Sequence, residues 1–132
     1  MNLMITGLYA ALLGLIFIAL SIQVIKARRK HMVSLGDGNI DDLQRATRAH
    51  ANFSEYVPLC IILLLIAELT SQADVFLHIC GIALVFGRIA HAYGLVTTAG
   101  ASWGRISGTL ATFTVLIALS LWNLYVVITK LV

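Results

Sequence analysis

Within the stretch RATRAHANFSEYVP, residues 45–58, Arg48, Asn52 and Glu55 stand at i, i+4 and i+7, with Arg45 earlier in the same run. A helix turns once in about 3.6 residues, so these side chains share one face. A guanidinium matches a carboxylate through two parallel hydrogen bonds. A carboxylate at Glu55 can hold an ammonium group. The stripe therefore suits a small peptide that carries two carboxylates and one amine. Arg88 and His91 form a second pair at i, i+3 inside LVFGRIAHAYG, and Arg105 opens a third segment with Ser107 and Thr109 close behind. A cation beside a thiol favours the thiolate, so Arg105 is the candidate for activating a sulfur nucleophile. Arg88 and Glu55 could pair across two helices. The plainer reading of the same spacing makes Arg45 and Arg48 anchors that snorkel to lipid headgroups, and Glu55 with Arg88 a structural ion pair.

These groups are set among apolar blocks. The chain has 132 residues, 60% hydrophobic and 11% charged, against roughly 45–50% apolar usage in soluble domains. A span needs about 20 mostly apolar residues. Residues 3–25, 45–69, 75–97 and 106–131 each qualify. The expected fold is all-α: a single integral membrane domain, a transmembrane bundle of four helices. The first block lacks a basic leader and a small-residue cleavage site, so it reads as a retained span and not a signal peptide.

The net charge of +3 would point to nucleic acid in a soluble protein. Here topology explains it. Lys26, Arg28, Arg29, Lys30, Arg45 and Arg48 lie in or beside the first connection, and Arg105 lies beside the third. The second connection, residues 70–74, has no basic residue. The positive-inside rule then places the first and third connections in the cytoplasm and both termini outside. Cys60 and Cys80 sit within apolar runs and read as small hydrophobes. His31 and His50 have no partner at ligand spacing, so no metal site is expected. Asn39 or Asp41 is expected to cap the second helix, Pro58 to kink it, and Glu68 to be solvated.

The motif RAHANFSEYVP, read as RAHxNxxEYxP, resembles the membrane-associated proteins in eicosanoid and glutathione metabolism, the MAPEG family. GRIAH at residues 87–91 and VIKARR at residues 24–29 support the resemblance, which covers nearly the whole chain. It implies homotrimers that bind glutathione between neighbouring subunits near the cytoplasmic side. It implies that Arg48, Asn52, Glu55 and Tyr56 contact glutathione, with Arg28 and Arg88 at further positions. His91 stands where some relatives have tyrosine and others histidine. Arg105 matches the arginine that activates the thiol.

The activity implied is conjugation of glutathione to a lipophilic electrophile, or reduction of a hydroperoxide. The electrophile would arrive sideways through the lipid bilayer. The short loops suggest a member from a bacterial inner membrane. One departure stands out: catalytic relatives often carry tyrosine seven residues after the Arg88 position, and this chain has Leu95. That favours a second reading, a non-catalytic lipid- or glutathione-binding protein of the same fold. A third is a small proton-coupled exporter built on the carboxylate of Glu55.

Overall fold

The computed structural model describes residues 3–131. The chain forms α1 (Met4–His31), α2 (Asp41–Thr70), α3 (Asp74–Thr97) and α4 (Trp103–Leu131), and the described residues include no strand. All four helices are long and apolar enough to cross a membrane. At about 1.5 Å per residue, α1 covers roughly 42 Å, more than the ~30 Å hydrocarbon layer. Its excess lies at the end bearing the basic first connection, called here the charged end.

Turn chemistry sets the boundaries there. Met32 turns left-handed at φ 57° and its N–H reaches the carbonyls of Arg28 and Arg29, which ends α1. Asp37 organises the loop by accepting from the Asn39 N–H at 3.0 Å and from Gln44 Nε2 at 3.0 Å. Gly36 and Gly38 supply positive φ, +73° and +59°. The start of α2 differs from expectation. Ile40 holds the cap position with no side-chain bond, Asn39 is spent in the turn at φ 57°, and Asp41 is already helical. Asp41 and Asp42 still place negative charge at the positive end of the helix dipole. Asp42 also receives Lys30 Nζ at 2.9 Å and lies 2.8 Å from His31 Nε2, which ties α1 to α2. These hydrogen bonds, His31 first and then Lys30, hold its carboxyl below the usual carboxylate range.

α2 runs unbroken through Pro58. Proline has no N–H to offer the Ser54 carbonyl, yet the bundle keeps the helix continuous. Leu13, Leu20, Phe53, Leu64, Leu84 and Leu119 are central to the core, while Leu15, Ile18, Ile62, Phe86 and Leu121 face outward. With lipid outside, such an exterior carries no penalty, and close packing rather than expulsion of water holds helices together.

α3 and α4 pack backbone against backbone. A Cβ on Gly104 would stand 2.7 Å from the Ala90 carbonyl oxygen, and one on Gly108 would run into Gly87 O and His91. Small residues let these backbones touch, which brings Gly108 and Thr112 onto Arg88 and His91. At the far end, Glu68 was expected to be solvated; it is half-buried and also bonded to α1. Its oxygens accept from the N–H groups of Ile5 at 2.9 Å and Thr6 at 2.7 Å. The carboxylate thus satisfies two orphan donors at the start of α1 and complements its dipole.

Candidate functional site

The stripe on α2 divides by depth. Arg48 and Glu55 are exposed on the surface, while Asn52 and Tyr56 are half-buried. Arg48 Nη1 lies 3.6 Å from Glu55 Oε1, so the two charges of the stripe satisfy each other. Both side chains are about half exposed or more, 61% and 48%, so the pair is weak and can open. The Tyr56 ring packs on Phe113 of α4 with centroids 5.5 Å apart.

Arg88 does not pair with Glu55. It is 1% exposed and its head is gripped from three helices. Nη2 donates to Asn52 Oδ1 at 2.7 Å and to His91 Nδ1 at 3.3 Å, and Nη1 donates to Thr112 Oγ1 at 3.3 Å. The guanidinium carbon stands 5.7 Å from the centre of the Phe53 ring, within cation–π range. Nε has no partner. Among the described residues no carboxylate meets this charge. Asn52 lies one turn before Glu55, and that turn decides which of them reaches α3. A buried cation with neutral partners alone is costly, and such groups inside membranes mark functional sites more often than structural ones.

His91 is buried next to Arg88 and lines a cavity of about 410 Å³ with Ala101, Arg105, Ile106, Thr109 and Leu110. Arg105 is half-buried, and its Nη1 donates to Gly100 O at 2.6 Å. Arg28 stands apart in the subunit. Its Nη1 donates to Ser34 O at 3.4 Å and Gly36 O at 2.9 Å, which staples the first connection. The fold thus joins Asn52, Arg88 and His91 directly and puts His91 and Arg105 on one cavity. It leaves Arg48, Glu55 and Tyr56 beside this group, and Arg28 on the connection.

Leu95 is a core residue and offers no hydroxyl. Tyr93 cannot stand in for one, being 71% exposed on another face, where it lines a groove of about 430 Å³ with Gln23, Ile89 and Thr97. Thr112 was not foreseen as part of the site. Its only sequence signal is its place seven residues after Arg105, two turns along the same face. No group of three or more His, Cys, Asp or Glu among the described residues is arranged to hold a metal.

Residues 6–125 match the profile of the MAPEG family. The chain belongs to the MAPEG family. The match takes in part or all of every helix and every residue of the site just described. The inner membrane protein YecN of Escherichia coli strain K12 is 38% identical over 122 residues, covering 92% of each chain. YecN of E. coli strain CFT073 matches to the same extent. The leukotriene C4 synthase of Cavia porcellus is 36% identical over 96 residues, which span 67% of this MAPEG chain and 59% of the synthase.

Proposed function

We propose that this MAPEG protein lies in a bacterial inner membrane, as a relative named for that membrane does, and binds glutathione at its charged end. There it joins the sulfur to electrophiles drawn from the bilayer. One observation carries the reading: Arg88, buried among Asn52, His91 and Thr112, has no carboxylate of its own. Through His91 it borders the cavity of Arg105, whose lining includes that cation and no acidic side chain. Glutathione supplies carboxylates and, once ionised, a thiolate. The weak Arg48–Glu55 pair opens to take a ligand carboxylate on Arg48 and the ligand ammonium on Glu55. Tyr56 and Asn52 add hydrogen bonds from α2, His91 from α3, and Arg28 from the first connection. Neighbouring copies in a homotrimer close the site, and both termini face away from the cytoplasm.

Arg105 is the catalytic residue in this scheme. It stabilises the thiolate, and the protein adds proximity to the electrophile. The thiolate attacks an electrophilic carbon, a C–S bond forms, the leaving group departs with its electron pair, and the thiol proton has passed to water. Peroxide reduction on the same thiolate is the companion activity.

The test uses protein purified in detergent, with glutathione and a chlorinated nitroaromatic. Thioether formation with release of chloride is the expected result. Leu95 supports a second reading, in which the site binds glutathione or a lipid without turnover. Calorimetric binding of glutathione or a fatty acid with no thioether would decide for that reading, and absence of binding of either one overturns both. The exporter reading gains nothing from Glu55, which is exposed and paired with Arg48.

A further inference from the structure

Arg88 is the one full charge buried inside the bundle among the described residues. A guanidinium donates and never accepts. That rule determines the state of both groups that share its Nη2. Asn52 offers Oδ1 at 2.7 Å, so its amide must turn the two Nδ2 protons away from Arg88. His91 offers Nδ1 at 3.3 Å, so that nitrogen is unprotonated and the ring proton sits on Nε2. Nη1 fixes the guanidinium to α4 through Thr112 Oγ1, whose own proton goes to Gly108 O at 2.8 Å. Two side chains that can either donate or accept are thereby turned into donors. Asn52 serves the α2 stripe, and His91 serves the cavity it shares with Arg105.

We propose that Arg88 is a positioning residue that does not touch ligand: it holds Asn52 and His91 as neutral hydrogen-bond donors to a bound anion, for which Arg105 supplies the nearby charge. Identifying that anion as a carboxylate or thiolate of glutathione rests on the function proposed above. The orientation of the two side chains does not. The burial of Arg88 supports the division of labour, since a group 1% exposed in the single subunit can only lose surface in an assembly.

The test has an arm without ligand. In 15N NMR of histidine-labelled protein in micelles, His91, assigned by loss of its signals in His91→Gln, should show an unprotonated Nδ1 and a protonated Nε2. In Arg88→Met that signature should change to a mixture of tautomers, while His31, His50 and His78 keep theirs. A protonated Nδ1 on His91 in the wild type overturns the proposal even if Arg88→Met fails to fold, and so does an unchanged signature in a folded Arg88→Met. The second arm titrates glutathione by calorimetry. Asn52→Ala with His91→Phe should weaken binding about a hundredfold. Adding Arg88→Met to that pair should cost less than about twofold more. A larger further loss means that Arg88 contacts the ligand directly and overturns the positioning role. Wild type that shows the tautomer but does not bind glutathione leaves the positioning of His91 standing and removes the glutathione reading.

Discussion

Arg88 on α3 donates to Asn52 on α2 at 2.7 Å, and this bond, rather than an ion pair with Glu55, joins the two helices inside the charged end. A charged donor on a neutral amide is a strong hydrogen bond, and its loss strands a buried cation. Asn52→Leu should therefore lower stability by about 1.5–3 kcal/mol, read as a drop in the thermal midpoint in detergent. Asn52→Asp puts a counter-charge where Arg88 has none and should melt well above Asn52→Leu. Equal midpoints for the two variants would show that this contact contributes little.

Glu68 makes a different kind of long-range tie, from α2 back to the first turn of α1. Removing a helix cap costs about 0.5–2 kcal/mol. Glu68→Ala should fall in that range, and Glu68→Gln, which keeps one acceptor oxygen, should lose roughly half as much. Proteolysis of the first residues of α1 should speed up in the same order. Identical cleavage in all three proteins would show that the carboxylate does not pin this helix.

The seam between α3 and α4 leaves no space at Gly108. Gly108→Ala pushes a methyl group against Gly87 O and His91, so the helices must separate. Overpacking of this kind costs about 1–3 kcal/mol. The separation also pulls Thr112 from Arg88, so glutathione binding should weaken along with stability. Gly7→Ala, where nothing lies within 4 Å, is the control and should leave binding unchanged and stability equal or slightly higher.

Asp42 gives a pH-dependent tether between α1 and α2. Its carboxyl titrates lower in the folded protein than in the unfolded chain, because His31 first and Lys30 next bond to the charged form. A depressed folded value means that the contribution is complete above the unfolded carboxylate value, about 3.9, and is lost as pH falls through the folded value. The difference in thermal midpoint between wild type and Asp42→Asn should be full at about pH 5 and shrink below about pH 4. A difference that stays constant down to pH 2 would rule this out.

Arg105→Ala separates binding from chemistry. Loss of a group that stabilises developing charge typically costs about a hundredfold or more in rate. Conjugation should fall by that order while the dissociation constant for glutathione moves only a few fold. A variant that turns over normally would remove Arg105 from the mechanism.

How much of this was legible beforehand follows from the range over which each feature acts. Apolar blocks of membrane length, the basic first connection and the shared face of Arg48, Asn52 and Glu55 are local, set by composition and by a fixed helical repeat. The all-α bundle and the depth of Arg88 follow from them. The cap at Ile40 shifted by one residue from both expected positions, because Asn39 was drawn into the turn around Asp37.

Which residue on α2 meets Arg88 was a question of another kind. Asn52 and Glu55 lie on the same face, one turn apart, and no local rule ranks them. The axial offset of the helices decides it. That offset goes with packing between α2 and α3, such as Phe53 beneath the guanidinium. The bond from Glu68 to Thr6, 62 residues distant along the chain, belongs to the same class. Periodicity says which way a side chain points. Only the packing of helix on helix settles what it finds there.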